Sequence, residues 1–395
     1  MTGLPRIGVT GANGFLGWHF RCRLLLAGYP EPLLADRKTF ADPAALAAFV
    51  EHSDAIVHLA GVNRASSEAE VVAGNDLLAT SLAAALTAAP VAPGGSRPVV
   101  YANSIKALDG GPYGEAKAKA AATLAGAQAQ TGGGFADVLL PHLFGEFGVP
   151  FYNSAVTTFG YQLAVGETPR IDNDATLELL HAQDTSVGLL AELDAVGQLD
   201  AVGRQDGVAR QSRLDGHKIL VSEAKAMLEG HHHRYVGQGT VPGFADRFEQ
   251  QMFNLLRSQL FATGTRSIAI TRHTDPRGFF SELIRNDGLG QSSISASVPG
   301  ITRGDHFHVD KIERFLVVAG QACIRIRRLL TDEVHTFDVA GSDPVAIDMP
   351  PLCTHNITNT GSGEMLTFFW AADQFDPANP DTYPELVEPA PTPGA

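Results

Sequence analysis

RIGVTGANGFLG, residues 6–17, is a short apolar run ending in G-x-x-G-x-x-G, and GWHFRCRLLLAG (17–28) continues it at helical spacing. Glycines at Gly11, Gly14 and Gly17, between a strand and a helix, let backbone N–H groups approach a pyrophosphate at the positive end of the helix. An ordinary tight turn is the competing reading of such a string, and its position, with strand before and helix after, favours the dinucleotide reading. Working outward, EPLLADR (31–37), DAIVHLAG (54–61), SRPVVYANS (96–104) and FADVLLPHLFG (135–145) are further apolar runs separated by Ala-rich helical stretches. Strands alternating with helices predict an α/β domain, a Rossmann-type doubly wound parallel sheet covered on both faces. Asp36, Arg37 and Lys38 end the second run, where the ribose 2′-substituent is read. An acid there favours NAD and a cation accommodates the NADP phosphate, and with two cations to one acid the expectation is NADP(H).

From residue 266 the texture changes. RSIAITRHT, GFFSELIR, SSISASV, RFLVVAG, QACIRIRRL, VHTFDVAG, PVAIDMP and EMLTFFWAA are short, often alternating runs broken by Gly, Pro, Asp and Asn. Many short strands with turn signals predict an antiparallel sandwich or barrel. The 395 residues therefore divide into an α/β domain over 1–245, a connecting helix over 246–264, an all-β domain over 265–388 and a disordered tail, 389–395. GHHHRYVGQGTVPGF (230–244) is turn-rich, and His231, His232 and His233 read as a solvated loop, since three consecutive side chains cannot face one site.

Bulk properties exclude several classes. A net charge of −14 argues against nucleic acid. Three separated cysteines (Cys22, Cys323, Cys353) make no disulfide framework and suit a reducing compartment. LLATSLAAALTAAPVA (77–92) reads as too short and too weakly apolar to span a bilayer. A cytoplasmic homodimer without membrane insertion is expected.

Two constellations carry chemistry. Tyr113 and Lys117 stand four apart at the start of GPYGEAKAKAAATLA, on one helical face, with Ser104 closing the strand before. A nearby ammonium lowers a phenol's pKa, so Tyr113 can exchange a proton with a carbinol or carbonyl oxygen while Ser104 hydrogen-bonds that oxygen and hydride moves at a nicotinamide. In GITRGDHFHVDKIERFLVV (300–318), His306, His308 and Glu313 look like metal ligands. Residues i and i+2 of a strand face the same side, so the two imidazoles point together.

TGANGFLG, HLAGVNR (58–64), Ser104, PYGEAK and HLFG (142–145) resemble the extended short-chain dehydrogenase/reductase family. The resemblance implies a nucleotide-sugar substrate, cofactor contacts at Ala60 and Gly61, and a substrate contact at Asn153 within FYNSAVTTFGYQLAVGE (151–167). His142 stands where that family usually has Asn. Gly300, His306, His308, Glu313 and Gly320 have the spacing of the first cupin motif, which implies a jelly-roll barrel. The second motif is carried by Pro350, His355 and Asn359, with Leu352 in place of its glycine, so that turn is expected to be built differently. His355 then completes a ligand set of three imidazoles and one carboxylate. Such a set suits one divalent ion, Zn²⁺ first, with Fe²⁺, Mn²⁺ or Ni²⁺ as alternatives.

DPRGFFSELIR (275–285) is similar to the nucleotide-sugar 3,5-epimerase branch, which implies a substrate contact at Glu282, and Lys311, matched by a lysine in bifunctional capsular-polysaccharide enzymes, is implied as an acid or base. For His306 two roles stay open, metal ligand or proton-abstracting base. The fusion as a whole resembles bifunctional capsular-polysaccharide enzymes. That implies epimerisation at C3 of a UDP-4-keto-6-deoxy-N-acetylhexosamine followed by NADPH reduction at C4, giving UDP-2-acetamido-2,6-dideoxy-L-talose or a close relative. Three alternatives stand beside it: an NAD-dependent sugar epimerase or dehydratase with a regulatory cupin, a non-enzymatic sugar-binding scaffold, and a cupin dioxygenase.

Overall fold

A parallel sheet follows from the alternation because each helix carries the chain back to the same end of the sheet. The computed structural model describes residues 4–90, 97–201, 209–265, 267–269, 273–275, 278–280, 285–286, 290–373 and 378–388, and the tail 389–395 and Glu282 lie outside them. The chain forms two compact units, Met1–Phe144 with Thr176–Ile219, and Gly145–Ala175 with Leu220–Ala395.

The first unit contains β1 (Ile7–Thr10), α1 (Phe15–Leu26), β2 (Leu33–Ala35), α2 (Arg37–Ala41), α3 (Pro43–Glu51), β3 (Ala55–His58) and α4 (Glu68–Ala88). It continues through β4 (Val99–Ser104), α5 (Pro112–Thr131), β5 (Phe135–Leu140), β6 (His142–Phe144), β7 (Thr176–His181), α7 (Ala182–Ala201), β8 (Ala209–Arg213) and β9 (His217–Leu220). Six strands form one parallel sheet in the order β2-β1-β3-β4-β5-β8, and β6, β7 and β9 form a second, small sheet. Successive side chains of a strand point to opposite faces. Ile56, Val99 and Tyr101 therefore join Phe49, Leu82 and Leu124 of α3, α4 and α5. Val57, Val100 and Val138 join Phe20 and Leu24 of α1 and Leu189 and Leu193 of α7. This is the doubly wound arrangement expected.

α4 is longer than the uncharged stretch suggested. Ser67 caps it by accepting from Glu70 N, and at 21 residues it is long and apolar enough to cross a membrane by length and composition alone. Val71, Ala79, Leu82 and Leu86 are nonetheless buried in the core of this unit.

The second unit contains α6 (Ala155–Ala164), α8 (Val221–His232) and α9 (Arg247–Ala262), which pack on one another, and the strands that follow them. These are β10 (Thr240–Val241), β11 (Ser267–Ala269), β12 (His273–Asp275), β13 (Gly278–Phe280), β14 (Arg285–Asn286), β15 (Gln291–Ser297), β16 (Thr302–Phe307) and β17 (Glu313–Ala319). β18 (Gln321–Arg328), β19 (Val334–Ala340), β20 (Val345–Met349), β21 (Cys353–Asn359), β22 (Met365–Ala371) and β23 (Tyr383–Pro384) complete it. Two five-stranded antiparallel sheets, β11-β20-β17-β22-β15 and β19-β18-β21-β16-β23, share one core built from Val317, Ile347 and Met365 of the first and Ile324, Ile326 and Ile357 of the second.

Two local expectations change. The stretch 230–244 is not a solvated loop at its start: α8 runs to His232 and continues as a π-helical turn, His233–Gly237. His231 is buried against Phe253 and Phe244, and that burial lowers its imidazole to about 4. The stretch expected to connect the domains is α9, capped by Asp246 and buried along nearly its whole length, with Phe261 in the core of the two sheets. Its Arg257 lies 3.5 Å from Asp348, which Arg314 grips at 2.6 and 3.1 Å.

Candidate functional site

The strand order of the parallel sheet reverses between β1 and β3, so the crevice beyond their carboxyl ends is where such a sheet takes a ligand. The glycine turn is compact there. Gly11 sits at φ +64, and a Cβ on it would lie 2.7 Å from the Ala60 nitrogen, while one on Gly17 would collide with the Gly11 carbonyl. Gly14 is the N-cap of α1 and supplies no side-chain acceptor, which leaves the amides of the first turn for an anion. These features fit a dinucleotide pyrophosphate, with Ala60 and the exposed Gly61 at its edge. Asp36 is occupied within the chain: its carboxylate accepts from Lys38 N and Thr39 N, both at 2.9 Å, and closes a capping box on α2. The hydrogen bonds from Thr39 hold that carboxyl below its usual range. Arg37 and Lys38 are exposed beside it.

Ser104 ends β4, and its hydroxyl accepts from Lys106 N at 3.2 Å, starting a 3-10 turn. α5 packs closely on that turn because position 114 is glycine, where a Cβ would collide with the Lys106 carbonyl. Tyr113 and Lys117 stand one turn apart on α5, yet different partners hold them. The phenol donates to Asn63 Oδ1 at 3.0 Å, and the Lys117 ammonium donates to Ala102 O at 3.0 Å, 4.2 Å above the Tyr101 ring. Burial lowers Lys117 to about 7. Behind it His58 stacks on Tyr101, and burial reinforced by Lys117 lowers its imidazole to about 3. The Thr10 hydroxyl bonds His58 Nδ1 at 2.7 Å and accepts from Leu59 N and Ala60 N. Asn63, Thr10, His58 and Tyr101 are not marked individually in the sequence, although each lies within one of the quoted strings: Thr10 in RIGVTGANGFLG, Tyr101 in SRPVVYANS, His58 and Asn63 in HLAGVNR. His142 begins β6 and is exposed, and Asn153 is exposed immediately before Ser154, the N-cap of α6.

In the second unit His306, His308, Glu313 and His355 converge, their ligand atoms all within 4.8 Å of one another. A bulge in β16 between Gly304 and His306, with Asp305 at φ +53, re-aims the strand so that His306 pairs with His355 of β21. Nε2 of His308 and of His355 lie 3.2 and 3.4 Å from Glu313 Oε2. Both nitrogens are buried and poorly directed for a hydrogen bond to that oxygen or any other described atom. Burial opposes ionisation of Glu313, but the two imidazoles beside it hold its carboxyl far below the usual carboxylate range. His306 is lowered to about 4 by burial and by its two histidine neighbours, and burial lowers His355 as well. Tetrahedral ligands about 2.0–2.1 Å from a zinc ion lie roughly 3.4 Å apart, so four convergent atoms with orphaned imidazole nitrogens fit a divalent ion.

The turn carrying the second motif retains the geometry of a glycine turn, against expectation. Leu352 adopts φ +57, is 1% exposed, donates to His308 O at 2.7 Å and accepts from Leu329 N at 3.0 Å. Lys311 is buried, and its ammonium donates to Pro380 O and Thr382 Oγ1, both at 3.2 Å, with Glu313 Oε1 at 4.0 Å.

Residues 7–201 match the NAD dependent epimerase/dehydratase family, and residues 273–383 match the polysaccharide biosynthesis C-terminal domain. The chain is 32% identical to UDP-2-acetamido-2,6-beta-L-arabino-hexul-4-ose reductase of Pseudomonas aeruginosa over 95% of its length and 97% of that protein. It superposes on crystalline CapF, a capsular polysaccharide assembling protein of Staphylococcus aureus, at 28% identity and TM-score 0.57, covering 96% of this chain and 99% of that one. The chain belongs to the CapF-type family. The chain also matches the spore coat polysaccharide biosynthesis protein SpsL of Bacillus subtilis, 25% identical over 128 residues, or 30% of this chain and 85% of that one. CapF-type chains thus join a nicotinamide-binding domain to a polysaccharide-biosynthesis domain, and the two site constellations fall one in each.

Proposed function

We propose that this chain is a bifunctional nucleotide-sugar enzyme. Its C-terminal sheets, a cupin-type jelly roll, epimerise C3 of a UDP-4-keto-6-deoxy-N-acetylhexosamine. Its first unit then reduces the C4 ketone with NADPH, giving UDP-2-acetamido-2,6-dideoxy-L-talose or a close relative for surface polysaccharide synthesis in the cytoplasm. The observation that carries this reading is the ordered Ser104, Tyr113 and Lys117 behind a glycine turn, in a chain aligned over 95% of its length with a hexul-4-ose reductase.

A sugar C–H is acidic only when it is α to a carbonyl, so inversion at C3 requires the C4 ketone and must precede its reduction. The C3 proton leaves from one face and another is returned on the other. Lys311, 4.0 Å from Glu313, is the candidate acid or base of this step and Glu282 its candidate substrate contact, while Asn153 is the candidate substrate contact of the reduction. A divalent ion, zinc first, when held by His306, His308, Glu313 and His355, supplies Lewis-acid charge. This assignment makes His306 a ligand rather than the base. In the first unit NADPH supplies the hydride. Tyr113 gives its phenolic proton to O4, Ser104 hydrogen-bonds the same oxygen, and the Lys117 ammonium stabilises the phenolate left behind. Occupation of Asp36 by the first turn of α2, beside the exposed Arg37 and Lys38, supports a 2′-phosphate over a 2′-hydroxyl.

The test is incubation of the 4-keto sugar in D₂O without NADPH. Wild type should place deuterium at C3. Glu313→Gln should exchange far more slowly while still oxidising NADPH with a pre-epimerised substrate. Exchange at the wild-type rate in Glu313→Gln would remove the second unit from the epimerisation.

A further inference from the structure

We propose that the carboxyl-terminal strap, residues 378–388, positions the four-residue cluster, with Asp381 as its positioning residue. The inference rests on reading His306, His308, Glu313 and His355 as a metal site. Each imidazole has a chain neighbour tied to the strap. Before His306, the Asp305 carbonyl accepts from Glu385 N at 2.9 Å; before His355, the Thr354 hydroxyl donates to Glu385 O at 2.5 Å. After His308, the Asp381 carboxylate accepts from Val309 N, Asp310 N and Lys311 N at 2.9, 3.0 and 2.8 Å, closing the loop between His308 and Glu313 over one side chain.

The strap also touches a ligand directly. His308 Nδ1 donates to the Asp381 carbonyl, which leaves the Nε2 lone pair facing Glu313 and its neighbours. An outer hydrogen bond of this kind fixes the tautomer and ring orientation of a metal-binding histidine. Asp381 holds φ +40, a left-handed conformation that Asp tolerates better than most residues, and so turns its carbonyl to His308 and its carboxylate to the loop amides at once. Farther along, buried Arg327 donates to Glu385 Oε1, Leu386 O and Val387 O at 2.9, 2.7 and 2.7 Å and anchors the strap to β18. A residue some seventy positions from His308 thus sets the direction of its lone pair.

The experiment compares full-length wild type, Asp381→Gly, Asp381→Asn and His308→Ala. Each is stripped of metal and titrated with Zn²⁺ against a chromophoric chelator, with the Co²⁺ absorption spectrum as a second readout. Glycine permits the φ of position 381, so Asp381→Gly removes the carboxylate without adding strain. The carbonyl that accepts from His308 remains, but without the carboxylate that fixes it against the loop amides Zn²⁺ affinity should fall about 10-fold, the low end of the effect of disturbing an outer-shell partner, and the Co²⁺ bands should shift. Asp381→Asn, which retains one acceptor oxygen, should fall between that variant and wild type. Affinity of Asp381→Gly within about twofold of wild type, even with a lowered unfolding temperature of the metal-free protein, would make the strap structural only and overturn the inference. If circular dichroism shows Asp381→Gly unfolded, near-isosteric Asp381→Asn decides by the same affinity comparison. Wild-type affinity in His308→Ala would instead bring down the metal-site reading itself.

Discussion

Leu352 offers a quantitative handle on the turn beside the cluster of His306, His308, Glu313 and His355. A non-glycine residue in the left-handed region carries about 1–2 kcal/mol of backbone strain, and Leu352 sits at φ +57. Its side chain is 1% exposed, so truncation to alanine should destabilise by the usual 2–5 kcal/mol or so for a buried leucine. Alanine keeps the strain. Glycine loses that packing and the buried β-carbon as well, about 0.8 kcal/mol more, and adds roughly 0.5–1 kcal/mol of backbone freedom to the unfolded chain, but it releases the strain of about 1–2 kcal/mol. Leu352→Gly should therefore lie within about 1 kcal/mol of Leu352→Ala, whereas at a buried position without strain glycine would be roughly 1.3–1.8 kcal/mol the less stable. Both should unfold below wild type. Scanning calorimetry measures the difference if the transition that moves on adding Zn²⁺ is followed, since two units need not melt together. For a unit of this size 1 kcal/mol shifts the midpoint by about 2–4 °C. Leu352→Gly melting about 4 °C or more below Leu352→Ala would refute the claim of left-handed strain.

Tyr113→Phe should lower ketone-dependent NADPH oxidation about 10²–10⁴-fold, the contribution of one well-placed proton donor, and near-normal turnover in the absorbance trace would reject that role. Arg37→Ala should weaken NADPH binding more than NADH binding in parallel fluorescence titrations; equal losses would detach Arg37 from the 2′-phosphate. For the first unit, burial holds His58 at about 3 when folded, against about 6.5 in an unfolded chain. The unfolded state takes up that proton first, so stability is complete above about pH 6.5 and falls as pH drops toward 3. Unfolding temperatures measured across that range should show the decline, and His58→Gln should flatten it.

Much of this architecture follows from local pattern. Apolar runs such as DAIVHLAG and SRPVVYANS alternate with helices, and a strand buried on both faces has few other ways to be written. The pair His306 and His308 needed only the two-residue period of a strand to be grouped. Non-local features were less accessible. α9 carries Arg257, Gln251, Gln259 and Asn254 among its apolar residues, which reads as an exposed face until Asp348 and the sheet core are seen around it. His231 likewise looks solvated beside two other histidines, whereas Phe244 and Phe253 enclose it. The turn at Leu352 was misjudged because residue type is a weak guide to φ when packing and two backbone hydrogen bonds hold the chain. Asp381 meets backbone groups some seventy residues away, a pairing that no local period in the sequence announces.

The chain crosses from one compact unit to the other three times, near residues 144, 175 and 219. That threading bears on dissection. A fragment begun at residue 246 would retain α9 but shed α6 and α8, stripping the helices that pack on it and uncovering Phe253, which His231, Tyr235 and Phe244 enclose. A fragment ended at 245 would carry α6 and α8 without the helix they pack on. The polypeptide is thus poorly suited to separation by a single cut. Gene fusion and fission, which work by such cuts, would act on it more easily at its ends than at the apparent joint between its two chemistries.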